Sequence, residues 1–223
     1  MCQYHGGKYR TGKYIATHLK GDDDTIGYCE PFLGMGGVYK HRAMNEGKRY
    51  LAGDYNESVV KMWQGLQTGW SPDRKFTTKE EFMMLKNNGI SSAEKGFIGH
   101  FFTFRGTYFD GYCLRRKSTK TMNNKIDELI HIGKQIDDVE ISAGSYTQFS
   151  HLKNYVIYCD PPYSKMNKYF DEYHKKRHFD NDKFWGWVRV MSVNNKVYVS
   201  EYSAPEDFTE IWSLKEEKLY SLK

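Results

Sequence analysis

The sequence predicts an α/β fold: a mainly parallel sheet with helices on both faces, interrupted by one insertion. Two observations carry this reading. Short β-branched or aromatic runs alternate with stretches of helical hydrophobic spacing, the rhythm of a parallel sheet crossed by helices. Between residues 68 and 134 that rhythm stops. An insertion in such a domain sits over the carboxyl ends of the strands, where ligands bind.

Each element follows in order. Residues 8–19 read as a helix, 25–29 as a strand, 37–45 as a helix, 49–52 as a strand and 58–66 as a helix. The insertion opens near Ser71-Pro72. It holds a short helix over 79–86, a Gly-rich aromatic stretch over 101–112 and a closing helix over 125–132. Residues 139–142 form the weakest strand candidate; 155–159 and 196–200 are stronger. Between those two, residues 180–191 start on the cap residue Asp180 and carry Phe184, Trp187, Val188 and Met191 at helical spacing.

Composition narrows the function classes. The 223 residues can bury a core without staples. No apolar run reaches the length of a membrane span, and the first residues lack the apolar centre of a signal peptide. The expectation is therefore no membrane and a cytoplasmic setting. Aromatic content of 16% argues against disorder. Cys2, Cys29, Cys113 and Cys159 form no CxxC pair and have no His cluster beside them, so no metal is expected. Cys29 and Cys159 end apolar runs, as buried strand thiols do. The net charge of +5 permits a polyanionic partner without naming one.

Three motifs carry chemistry. After the strand 25–29 comes Glu30-Pro31-Phe32-Leu33-Gly34-Met35-Gly36-Gly37. Gly34 and Gly36 let the backbone pass close to a ligand. A dinucleotide fingerprint needs a third Gly where Tyr39 stands, so that pattern is broken. A tight strand-to-helix turn would use the same glycines, and Glu30 at the strand end is the more telling residue. Asp54 ends the next strand, 18 residues past Gly36. An acid there can accept both ribose hydroxyl protons of a nucleoside cofactor; a cap or turn Asp is the bland alternative. The third motif, Asp160-Pro161-Pro162-Tyr163, ends the strand 155–159. Two prolines make it rigid. The Asp160 carboxylate and the Pro161 carbonyl form a pair of acceptors beside the flat Tyr163 ring. A planar amino group stacked on that ring could donate one hydrogen to each.

Together these motifs resemble the Dam-type DNA adenine-N6 methyltransferases. The resemblance runs in family order over nearly the whole chain. Tyr4-His-Gly-Gly-Lys8 matches the N-terminal motif, in which an aromatic residue and a lysine flank S-adenosylmethionine. The loop from Pro31 to Gly36, Asp54, the Ser145-Tyr146 pair and the Asp160 to Tyr163 tetrapeptide follow in turn. Tyr4 stands where Trp is frequent in the family. The stretch from Phe104 to Tyr112 is similar to the target-recognition hairpin, with Phe104-Arg105 in place of the usual Asn-Arg.

The resemblance implies a Rossmann-like methyltransferase sheet over residues 1–67 and 135–223. A mostly helical target-recognition insertion with a β-hairpin would span 68–134. It implies methyl transfer from S-adenosylmethionine to N6 of a flipped-out adenine in double-stranded DNA, by a chain that is a monomer in solution. Tyr4, Lys8, Glu30, Pro31, Phe32, Gly34, Gly36, Asp54 and Asp160 would hold the cofactor. Asp160, Pro161, Pro162 and Tyr163 would hold the base. Lys8, Arg105 and Tyr108, with the basic run Arg115-Arg116-Lys117 and Lys120, would contact DNA. A second basic group, Lys165, Lys168, Lys175, Lys176 and Arg177, follows the tetrapeptide. Arg105 and Tyr108 could reach base edges or could order the hairpin; both readings stand at this stage. Amino methylation of cytosine N4 or of an RNA base, and an inactive DNA-binding relative, remain as alternatives. GATC is the family-level guess for the target.

Overall fold

The structure is a computed structural model. It describes residues 7–42, 45–114, 118–163, 168–170 and 176–223, with backbone alone for residues 105, 168–170, 176 and 177. In chain order the elements are α1 (Gly12–His18), β1 (Gly27–Glu30), β2 (Arg49–Asp54), α2 (Glu57–Gln67), α3 (Lys79–Asn87) and α4 (Ala93–Phe101). Then come α5 (Thr119–Gln135), β3 (Glu140–Ala143), β4 (Tyr155–Cys159), β5 (Lys168–Phe170), β6 (Lys176–His178), α6 (Asn181–Ser192), β7 (Lys196–Glu201), β8 (Phe208–Leu214) and β9 (Glu217–Leu222).

Seven strands form one sheet in the order β3-β2-β1-β4-β7-β9-β8, and β5 and β6 pair separately. The pairs β1–β2, β1–β4, β2–β3 and β4–β7 are parallel. The last two strands run antiparallel, β9 against β7 and β8 against β9. Strand order reverses between β1 and β4, so a crevice opens where their carboxyl ends diverge.

The chain divides into two compact units. One gathers Lys8–Tyr55, Asp138–Tyr169 and Arg177–Lys223, and so holds the large sheet; the other is built on Asn56–Asp137. In the first unit every residue of β1 and β4 is buried, as befits parallel strands covered on both faces. Cys29, Leu51, Ile157, Val197 and Val199 pack with Phe184, Trp187, Val188 and Met191 of α6 in one core cluster. Side chains alternate across a strand, so Tyr28 and Tyr158 point to the other face. There Tyr28 meets Tyr39 edge to face at 5.1 Å, and the Tyr158 hydroxyl bonds Ser200 Oγ at 2.8 Å. Asn195 pins the start of β4 to the end of α6. Its Oδ1 accepts from the Tyr155 amide, and its Nδ2 donates to the carbonyls of Leu152 and Met191.

The second unit is helical. Its helices start on Asn56, Thr78, Ser92 and Ser118, each accepting a backbone N–H of the first turn; Thr78 and Glu81 complete a capping box. The sequence placed residues 58–66 with the sheet. In the structure α2 belongs to the helical unit, because it packs on α4 and α5. Contact with α4 is close: a Cβ on Gly96 would stand 2.2 Å from the Ser58 carbonyl oxygen.

Three local differences from the sequence reading have physical causes. A helix was expected over 37–45; in the described residues up to Arg42 the chain after Gly36 makes only a single 3-10 turn, Tyr39–His41. Helix α4 was not expected, because Gly96 and Gly99 disfavour a helix; close packing overrides that preference. Where a hairpin was expected over Phe104 to Tyr112, the described residues form one antiparallel bridge, Thr103 to Tyr112. Phe104–Gly106 inside it form a 3-10 turn.

Candidate active site

Parallel strands deliver their carboxyl ends to one edge, and three of these ends bring acids. Glu30 is the last residue of β1 and pairs in register with Ala52; Asp54 follows two residues later on β2. Asp160 follows directly on β4, on the other side of β1.

Glu30 is only 2% exposed. The Tyr28 hydroxyl, two residues back on the same face, donates to its Oε1 at 2.6 Å. Burial dominates and pushes the Glu30 carboxyl up to about 8; the Tyr28 bond works against burial, and the Asp160 charge adds to it. At neutral pH Glu30 therefore holds its proton. The Cys29 and Cys159 thiols lie buried on the neighbouring strands, and burial holds both well above the ordinary thiol range.

The loop after β1 is built by its two glycines. Gly34 and Gly36 have φ of 49° and 63°, the left-handed region in which other residues are strained. Asp54 Oδ2 accepts the Gly34 amide at 2.8 Å, and the Leu33 amide donates to the Gly53 carbonyl at 2.8 Å. One carboxylate thus fastens the loop to the end of β2. Pro31 is buried. Phe32 anchors the other side, stacked on Tyr146 at 5.6 Å and edge-on to Phe184 at 5.7 Å.

The tetrapeptide is organised around Lys8. The Lys8 side chain is 4% exposed, and its Nζ lies 2.6 Å from Asp160 Oδ1 and 3.3 Å from Glu217 Oε1. The same ammonium sits 4.9 Å from the centre of the Tyr163 ring, a cation–π contact. Tyr202 meets that ring edge-on at 4.7 Å. Burial holds the Asp160 carboxyl above the usual carboxylate range; Lys8 opposes that shift and the Glu217 charge adds to it. The Tyr163 hydroxyl is buried near Asp160 without a well-formed hydrogen bond. A cradle with a carboxylate on one side and an aromatic face on the other can hold an amino group; here it holds that of lysine.

Residues 4–223 match the family model of the D12 class N6 adenine-specific DNA methyltransferases. The chain belongs to that family. The protein is accordingly an adenine-specific DNA methyltransferase, and the family implies use of S-adenosylmethionine. No curated protein sequence matches it. Among solved structures it is similar to the rRNA methyltransferase AviRa from Streptomyces viridochromogenes, at 9% identity and a TM-score of 0.40, over 94% of this chain and 84% of that one; a likeness so slight carries no argument.

The sequence-read residues of this methyltransferase distribute unevenly. Lys8, Glu30, Asp54, Asp160 and Tyr163 all lie in the sheet unit, at or beside the strand ends. Tyr108 is 4% exposed and packs on His100 and Phe109 at 4.9 and 4.8 Å. Its ring is core and presents no face to a base, which corrects the reading that it reaches base edges and leaves the reading that it orders the segment. Tyr4, Arg115, Arg116, Lys117, Lys165 and Lys175 lie outside the described residues, and the side chains of Arg105, Lys168, Lys176 and Arg177 are likewise not described.

Sequence reasoning missed two features. Glu217 joins Lys8 from the far end of the chain, with no motif to flag it. Lys13, Lys40 and His41 come together where α1 meets the 3-10 turn after the glycine loop. Partial burial and the charges of Lys40 and Lys13 lower the His41 pKa, and Lys40 Nζ lies over Tyr9 at 4.8 Å. The signal was present: residues 7–20 and 31–45 contain no acid.

Glu30 generates a sign-definite prediction. The folded chain binds its proton more tightly than the unfolded chain, so its contribution to stability is present below the ordinary Glu pKa and lost as pH rises through about 8. Glu30→Gln keeps an oxygen for Tyr28 and never ionises. Its thermal midpoint relative to the parent should rise steadily between about pH 5 and pH 9. A difference that does not move with pH would contradict the assignment of a protonated Glu30.

Proposed function

We propose that the sheet unit is the catalytic domain and that Asp160, Pro161, Pro162 and Tyr163 hold the target adenine while methyl transfer occurs at N6. One observation carries this reading: the Asp160 carboxylate and the Tyr163 ring already enclose an amino group, that of Lys8, at 2.6 and 4.9 Å. The helical unit, including residues 68–134, is proposed as the part that recognises the DNA sequence.

The strand-end residues fit S-adenosylmethionine by their donor set. Asp54 is a half-exposed carboxylate beside a glycine loop, suited to a ribose diol. Lys8, Pro31, Phe32, Gly34, Gly36 and Asp54 are proposed to hold the cofactor. Glu30 is assigned a supporting part as a neutral carboxyl under the loop. When bound, S-adenosylmethionine supplies an electrophilic methyl group.

The N6 lone pair of adenine is delocalised into the ring and is a poor nucleophile. The Asp160 carboxylate and the Pro161 carbonyl accept its two hydrogens and favour a tetrahedral nitrogen, which aims the lone pair out of the ring plane. This is orientation and electrostatic stabilisation rather than covalent catalysis. An Asp160 carboxyl held above the usual range is suited to receive the proton that the methylated nitrogen sheds.

The base must leave the duplex first, at a cost of a few kcal/mol. Stacking on Tyr163 returns about 1–3 kcal/mol. Phosphate contacts by Arg115, Arg116 and Lys117, by the basic loop after the tetrapeptide and by Lys13 and Lys40 are proposed to supply the remainder.

Tritiated-methyl transfer from S-adenosylmethionine to unmethylated duplex DNA, followed by nucleoside analysis, tests the reaction. All label should appear in N6-methyladenine. Label in N4-methylcytosine, in RNA alone, or in no nucleic acid would overturn the assignment. The DNA contacts are tested by salt dependence. Neutralising Arg115, Arg116 and Lys117 together should lower the slope of log K against log salt by about 0.9 for each phosphate released; an unchanged slope would remove that run from the interface.

A further inference from the structure

The placement of Lys8 raises a problem that the reaction must solve. Its ammonium makes the two contacts that the target amine needs, the Asp160 carboxylate and the face of Tyr163. A base stacked on the face of Tyr163 that Lys8 covers would need the space the ammonium now fills. Lys8 must therefore withdraw, and a charged side chain that is 4% exposed cannot withdraw into apolar packing without a large cost. It needs a second carboxylate within reach.

That carboxylate is present. Glu217 opens β9, which runs antiparallel to β7 and so returns to the edge where β4 ends. Its Oε1 lies 3.3 Å from Lys8 Nζ. The oxygen is buried, yet it forms no hydrogen bond of good geometry. A buried carboxylate oxygen at ion-pair distance, lacking a proper bond, is a station that a small rotation of the ammonium would fill.

We propose that Lys8 is a placeholder with two stations. With the pocket empty it holds Asp160 and covers Tyr163; when the flipped adenine enters, the ammonium turns onto Glu217 and releases both. Glu217 is then a positioning residue that acts through Lys8 and touches neither base nor cofactor. Neutralising it leaves the lysine one strong anchor, Asp160, so the base must compete against a cation with nowhere to go. This inference rests on the assignment of Asp160 and Tyr163 to the target base.

The experiment uses the full chain and its Glu217→Gln variant, which keeps size and polarity. Duplex DNA with 2-aminopurine at the target adenine reports base entry by fluorescence, and single-turnover transfer to ordinary DNA reports the reaction. S-adenosylmethionine binding is measured alongside. Losing the charged second station should lower both the flipped population and the single-turnover rate by about tenfold or more, with cofactor affinity unchanged. Glu217→Asp, which keeps the charge, should recover most of the rate. Parent-like fluorescence and rate in Glu217→Gln would overturn the proposal. So would a loss confined to cofactor binding, or a Glu217→Asp variant no better than Glu217→Gln. The two readings fail separately. A parent that does not methylate adenine removes the assignment of the site, whereas an active parent with an indifferent Glu217→Gln removes only the placeholder.

Discussion

The ion pair between Lys8 and Asp160 is the interaction on which the rest of the site depends. A parallel sheet carries its strand ends to one edge, and here β1, β2 and β4 bring Glu30, Asp54 and Asp160 there. Burying acids together is expensive unless each is neutralised or paired. Each solves the problem differently. Glu30 keeps its proton against Tyr28. Asp54 stays half exposed and takes the Gly34 amide. Asp160 takes the ammonium. The three environments divide one acidic edge into a neutral support, a loop anchor that can also face a ligand, and a charged acceptor.

That division explains why the glycine loop and the tetrapeptide must be built together. Gly34 is fixed by the Asp54 carboxylate, and Phe32, two residues earlier, is wedged among Tyr146, Phe179 and Phe184. The loop is thus held from β2 on one side and from the core packed on α6 on the other. Lys8 approaches from the N-terminal segment, where its backbone lies near Gly37: a Cβ there would meet the Lys8 amide nitrogen at 3.1 Å. The segment carrying the ammonium and the loop carrying the glycines are in contact, so the position of one constrains the other.

Much of this was legible in the sequence, for physical reasons. Residues 155–159 read as a strand because a strand covered on both faces must be apolar throughout, and all five are buried. Asp180 announced α6 because a helix start needs a side-chain acceptor. The acids stood out because polar residues at the ends of apolar strands need a reason. The C-terminal hairpin β8–β9 was not legible. At the sheet edge most of β8 is exposed, so its sequence lacks the apolar signature. Glu217 was invisible for the same reason: it reaches Lys8 only because an antiparallel strand returns beside β7, a fact of topology rather than of local sequence. Tyr108 misled in the other direction. An aromatic in a Gly-rich stretch reads equally as a recognition residue or as core, and only burial separates the two.

The most direct test of the divided edge is single-turnover methyl transfer titrated against S-adenosylmethionine in Asp54→Asn and Asp160→Asn proteins. Each titration yields a half-saturating concentration and a saturating rate. Asp54→Asn should raise the half-saturating concentration about tenfold or more while leaving the saturating rate nearly intact. Asp160→Asn should do the reverse, with the saturating rate down about a hundredfold or more. Two variants that lose affinity alike, or an Asp160→Asn protein that turns over at the parent rate, would contradict it.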